Sequence, residues 1–303
     1  MNRWAPSVSV ALVLGVVSFA FAPILVRWAG DVPALTIAVW RTVTAAVVLA
    51  PGLLSARARA QLRTVAGRDL LLMLGAGGVL GFHFLFWIES LGHTTVASAS
   101  IFVTSSPLLL AGLSYLLLGE RLSTGTLGAI GIAVGGAVLI GWSDAGTVTL
   151  GEGALWGNSL ALGAAVLVGV YLLVGRVVRQ SVGWWAYVFP VYGAAAVMIV
   201  GTAWVQGTPL LGYSWRVYGL CIALALGPQV LGHGAFNYAL QRRSATLVGL
   251  LALLEPVGAS GLAYALFDEQ PPLLSVVGMT VVLGAVAVVV WRRNRVRNEA
   301  SRT

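Results

Sequence analysis

Residues 91–142, LGHTTVASASIFVTSSPLLLAGLSYLLLGERLSTGTLGAIGIAVGGAVLIGW, decide the fold, because they return without a gap 149 positions later as residues 240–291, LQRRSATLVGLLALLEPVGASGLAYALFDEQPPLLSVVGMTVVLGAVAVVVW. Leu91 meets Leu240, Pro107 meets Pro256, and Gly112 and Leu113 meet Gly261 and Leu262. Tyr115 meets Tyr264, Leu117 meets Leu266, Glu120 meets Glu269, Gly135 meets Gly284 and Trp142 meets Trp291. Nine identities in 52 positions are a modest count for so biased a composition. The weight lies in Pro, Tyr, Glu and Trp, rare residues that all keep phase.

The repeat is set in a chain of long uncharged runs. Of 303 residues 58% are apolar and 9% are charged, where a soluble domain carries about 25% charged residues. The runs span 7–27, 34–54, 70–89, 95–118, 125–142, 153–174, 183–205, 215–238, 245–267 and 273–291. About 20 apolar residues in helical form cross a bilayer core of ~30 Å. The pattern predicts an all-α integral membrane protein of ten transmembrane helices. Each copy holds five, an odd number, so the second copy enters the membrane from the opposite side. The result is two inverted five-helix repeats, an architecture that many secondary transporters use. The expected units are residues 1–147 and 148–293, followed by a basic cytoplasmic tail at 294–303.

Arginine is the only basic residue type among the 18 Lys/Arg positions, and 15 of them fall at the termini or in alternate gaps between runs. Those gaps hold Arg57, Arg59, Arg63 and Arg68, then Arg121, then Arg176 and Arg179, then Arg242 and Arg243. The opposite gaps carry Asp31, Asp144, Glu152, Asp268 and Glu269 with only Arg27 and Arg216. Cytoplasmic loops concentrate Lys and Arg, so both termini are expected in the cytoplasm and the chain in the inner (plasma) membrane. Eight of eleven tryptophans lie near run ends, where indole favours the headgroup level. The net charge of +8 is thus read as topology anchors that touch anionic membrane lipid, and no nucleic-acid partner is expected. Val8 to Phe19 with Ala20-Phe21-Ala22 mimics a signal peptide. Pro23 makes a poor cleavage context, and removal would leave nine helices, so the segment is read as the first span. Cys221 is the single cysteine. It can form no intrachain disulfide, and no metal-ligand spacing or cofactor motif accompanies it.

Several motifs resemble a known family. Pro107 and Glu120 recur as Pro256 and Glu269; Ala22-Pro23-Ile24-Leu25-Val26-Arg27 lies in the first run, Trp40-Arg41 in the second, and Gly119-Glu120-Arg121 after the fourth. With its five-plus-five layout the chain resembles an EamA-type transporter of the drug/metabolite transporter superfamily over nearly its whole length. The second copy departs from the Gly-Glu pattern, reading Asp268-Glu269-Gln270. The resemblance implies a secondary transporter that exports small metabolites, amino acids or related amphipathic compounds among them, by alternating access. The alternative is a lipid or lipid-linked-sugar translocase, which would need a lateral groove. An intramembrane enzyme using His83, His233 and Glu255 would have no need of inverted halves, and no G-x4-G-K-[ST] nucleotide loop is present. The chain is expected to act as a monomer or weak homodimer, with proton coupling a candidate.

Intramembrane polar residues mark the candidate site. Arg41 lies eight residues past Pro33, roughly 12 Å into its helix at ~1.5 Å per residue. Arginine at a helix centre costs about 2.5–3.5 kcal/mol on insertion scales. Arg41 is therefore read as a substrate-carboxylate ligand or as a structural arginine tied to a helix end. Glu255 precedes Pro256 in mid-run and is the candidate for proton coupling, or else a neutral carboxyl bonded to a neighbouring helix. His83 with Trp87, and His233 with Asn237, form i,i+4 pairs on pseudo-equivalent helices and share a face. They are candidate substrate contacts, the alternative being hydrogen bonds between helices. Metal binding is not expected, since no third ligand accompanies the histidines. Ser98, Ser100, Thr104, Ser105 and Ser106 make the fourth run polar, and Ser98 and Thr104 are the substrate candidates there. Gly77-x3-Gly81 and Gly131-x3-Gly135 allow close helix contact.

Overall fold

Prolines mark several of the helix boundaries. The structure, a computed structural model, describes residues 8–106, 123–145, 153–243 and 245–268 and short stretches between 273 and 288. The first run is α1 (Val8–Ala20) and α2 (Ala22–Ala29), divided at Phe21, because Pro23 has no N–H for the Phe19 carbonyl. Gly30, at φ +68°, ends α2. Pro33 then caps α3 (Ala34–Leu49), which a 3-10 turn over Ala50–Leu54 and the short basic α4 (Ala56–Thr64) follow. α5 (Gly67–Ser90) is the third run, and α6 (Val96–Thr104) opens the fourth, its first turn capped by Thr95 Oγ1 accepting from Ser98 N at 3.0 Å. α7 (Thr124–Ala145), α8 (Gly153–Val178) and α9 (Trp184–Val205) follow.

The eighth run departs from a plain α-helix. α10 (Trp215–Leu224) passes into a π-helical segment, Ala225–His233, and then into α11 (Gly234–Leu240). Pro228 lies inside that segment. It cannot donate to the Leu224 carbonyl and its ring crowds that carbonyl, so the turn widens. The ninth run divides into α12 (Ala245–Ala252) and α13 (Glu255–Phe267). Pro256 leaves the Ala252 carbonyl without its i+4 donor, and α12 ends there.

Every regular element among the described residues is helical, and six stretches are long and apolar enough to cross a membrane. They are Val8–Ala29, Ala34–Gly52, Gly67–Ser90, Leu155–Val178, Trp184–Val205 and Trp215–Leu240. The expected count of ten spans is not met among these residues. The fifth and tenth runs supply the shorter apolar helices Leu127–Gly136 and Val276–Ala285, and the fourth and ninth are interrupted. Pro107, Gly119, Glu120, Arg121, Glu269, Trp291 and the arginines of the tail lie outside the described residues.

α5 forms the centre of the packing, lying against α8 and α9, while α3 also packs on α9. The contacts exchange between halves. Where α5 lies on α8, the π segment and α11 lie on α1; where α6 lies on α8, α13 lies on α1. Gly77 and Gly81 permit the close approach of α5 to α9. A Cβ at Gly77 would overlap the Val191 carbonyl oxygen, and one at Gly81 would meet Ile199 Cγ1 at 2.9 Å. Gly131 and Gly135 differ, since among the described residues a Cβ on either would meet nothing within 4 Å. Exposed apolar side chains, such as Val197, Trp204 and Val205 on α9 and Ile132 and Trp142 on α7, are the surfaces a bilayer would cover.

Candidate functional site

The interruptions of three helices meet at one place. A cavity with about 560 Å³ of empty space, its open mouth included, lies among the bends of α1, α6 and α12 and the inner faces of α3, α5, α8 and α11. Phe19, Val103 and Ala252 line it, and each is the residue whose carbonyl a proline four positions on (Pro23, Pro107, Pro256) leaves without a helical donor.

Arg41, fully inside the protein at 2% exposure, projects from α3 into this cavity. Its Nε donates to Gln229 Oε1 of the π segment at 3.1 Å. Its guanidinium carbon sits 3.8 Å above the centre of the Phe84 ring and 5.9 Å from that of Trp87. Cation–π attraction and one hydrogen bond hold the group, while neither Nη makes a hydrogen bond to a described residue. Gln229 is anchored in turn, its main-chain carbonyl accepting from the Tyr192 hydroxyl at 3.0 Å.

His83 donates through Nδ1 to the Ala164 carbonyl on α8 at 2.9 Å. A carbonyl only accepts, so the proton sits on Nδ1 and Nε2 is the ring's remaining polar atom. His233 stands in an aromatic enclosure, with ring centroids at 4.8 Å from Phe19, 5.1 Å from Phe84 and 5.8 Å from both His83 and Tyr171. Trp87 is buried with no partner for its indole N–H among the described residues. An unpaired buried donor beside a cavity is a point of attachment for a ligand acceptor. Glu255 opens α13 and also reaches the cavity, where it shares the space with Arg41 without ion-pair contact among the described residues.

The cavity therefore brings together six candidates from the sequence: Arg41, His83, Trp87, Thr104, His233 and Glu255. Two others are not among its lining residues. Asn237 is fully buried, with its Nδ2 donating to the Tyr171 hydroxyl and to the His233 carbonyl at 2.8 Å, and this turns the amide toward α8. Ser98 lies in the first turn of α6 while the cavity touches the last, six residues or about 9 Å along the axis. The Thr104 hydroxyl bonds back to the Ser100 carbonyl at 2.6 Å, so its contribution is chiefly shape. The two histidines lack a third ligand, and no group of three or more potential metal ligands occurs among the described residues.

Phe19, Phe84 and Phe236, which the sequence reading passed over, make the wall aromatic, and Ser106, one of the polar residues of the fourth run, stands opposite Glu255 in the repeat. The 149-residue phase held the means to find them. Phe19 and Val168, Phe84 and His233, Trp87 and Phe236, Val103 and Ala252, and Ser106 and Glu255 are five pairs at that separation, and all ten residues line the cavity. The lining offers the open fork of Arg41 to a carboxylate, the rings to an apolar body and Glu255 to a cationic or proton-bearing group.

The model of a family described as EamA-like transporters matches residues 7–142 and again 155–291. A protein of Streptantibioticus cattleyicolor described as a probable terminal-alkyne amino-acid exporter is 28% identical over 303 residues, covering 96% of each chain. A crystal structure described only as that of a protein superposes with a TM-score of 0.74 at 20% identity, covering 96% of this chain and 98% of the other. At that identity the likeness concerns the fold.

Proposed function

The chain belongs to the EamA-like transporter family, and from that premise, which makes it a multi-pass membrane transporter and not an enzyme, we propose that it exports small amphipathic metabolites, amino acids among them, across the inner membrane by alternating access. Ten spans in two inverted halves, residues 1–147 and 148–293, enclose the cavity, and the basic segment 294–303 follows. The observation that carries this reading is the pairing of ten lining residues at one phase. A cavity built from equivalent positions of two halves is one that both halves can open. The family model agrees, because its two matches end at 142 and 291, again 149 residues apart. The exporter description of the 28% identical relative supports the direction and the substrate class.

Arg41, His83, Trp87 and His233 form the substrate contacts in this reading, with Thr104 shaping the site. Binding draws on the Arg41 fork for the carboxylate and on the rings for the apolar body. Rocking of the halves about the cavity then exposes the solute to the other side. The arginine distribution supports termini in the cytoplasm, so a C-terminal alkaline phosphatase fusion should be inactive, and an active one contradicts the orientation.

The function is tested by overexpression in cells challenged with a panel of toxic amino acids and their analogues. Resistance to a subset with apolar side chains is expected. Trp87→Ala should abolish it while the protein remains in the membrane, since losing a buried aromatic anchor costs roughly 2 kcal/mol or about thirtyfold in affinity. Overexpression that protects against no member of the panel, or full protection by Trp87→Ala, would overturn the reading.

A further inference from the structure

Arg41 is held by a neutral partner. In a cavity that also receives Glu255, the group bonded to the Arg41 Nε is the Oε1 of Gln229, at 3.1 Å. Three features place that amide deliberately. Its orientation is determined, since only Oε1 can accept from an arginine. It leaves from the π segment four residues before His233, a spacing that sets the two on one helix face. Its Nε2 is buried with no hydrogen-bond partner among the described residues, an arrangement that costs stability and that packing alone does not favour.

We propose that Gln229 is a specificity-determining residue: it points the Arg41 fork into the cavity without neutralising it, so that the positive charge is left for a carboxylate on the transported solute. A glutamate of the same shape would accept the same bond and would also cancel the charge. Gln229 acts through Arg41 and is a positioning residue. The inference rests on the reading of the cavity as a site for amino-acid-like substrates.

The test uses the purified full-length protein in proteoliposomes. Counterflow is measured for a panel of apolar and aromatic L-amino acids, and for the best of them against its decarboxylated amine. Gln229→Glu keeps the acceptor and adds a negative charge; Gln229→Leu keeps neutrality and removes the acceptor. Gln229→Glu should raise KM for the amino acid at least about tenfold and shift preference toward the amine, because a carboxylate beside the substrate's own is repelled. Gln229→Leu should raise KM for the amino acid less, and leave KM for the amine unchanged, because a loosened fork still carries its charge. A residue that merely fills space would give the reverse order, with the isosteric Gln229→Glu close to wild type and Gln229→Leu impaired on both substrates alike; that order overturns the proposal. The Gln229→Leu comparison of two substrates decides the matter by itself if Gln229→Glu does not fold. A wild-type protein that takes the amine in preference to every amino acid overturns the reading of the cavity itself, and is recognised before any variant is made.

Discussion

Glu255→Gln should abolish accumulation of substrate in response to a pH gradient and leave substrate exchange running. Glu255 opens α13 immediately after the break at Leu253–Leu254, and its side chain reaches the cavity that Arg41 also lines. Its equivalent in the first half is Ser106, also in the wall, so coupling through this carboxyl would be one-sided within an otherwise paired site. Glutamine keeps the volume and can both donate and accept hydrogen bonds, but it carries no exchangeable acid proton. If proton movement through Glu255 drives export, the variant becomes an exchanger. Substrate would still cross against labelled substrate, while a gradient would produce no net accumulation. The measurement is uptake into proteoliposomes with and without an imposed pH gradient. Gradient-driven accumulation by the Gln variant at the wild-type level would show that Glu255 is structural and that any coupling lies elsewhere.

The helical runs were legible because membrane-spanning helices are written as long apolar stretches with charge at their ends. Arg41, His83, Trp87, His233 and Glu255 were legible as site candidates because a polar residue in mid-span is costly and has to be compensated. What compensates it was not legible. Gln229 meets Arg41 across 188 residues of chain, and nothing local at either position announces the other. The π segment was missed for a related reason. Pro228 predicts a disturbance, but whether a helix kinks, breaks or widens around a proline depends on what it packs against. Asn237 shares its helix and spacing with His233 and yet bonds Tyr171 instead of lining the cavity. Spacing along a helix says which residues share a face, while the neighbouring helix decides which of them bond to it. Ser98 stands off the cavity in axial position, since a polar run does not say which turn of it stands at the cavity's depth. Phe84 and Phe236 were hidden among many apolar residues, and only transferring the 149-residue phase from His233 and Trp87 would have singled them out.

Alternating access from one cavity between two halves is most directly tested by the chemical accessibility of an equivalent pair of lining positions. Val103 and Ala252 stand at the same phase of the two halves and both line the cavity. The single native cysteine, Cys221, is fully buried and outside the cavity, so Cys221→Ser gives a background for Val103→Cys and Ala252→Cys. A membrane-impermeant thiol reagent is applied separately to each side of the membrane, in right-side-out and inside-out vesicles. Both cysteines should be labelled from either side, since the cavity opens to each in turn, and transported substrate should slow the labelling by occupying the same space. Labelling of either cysteine from one side only, unchanged by substrate, would contradict a single cavity reached alternately from both faces of the membrane.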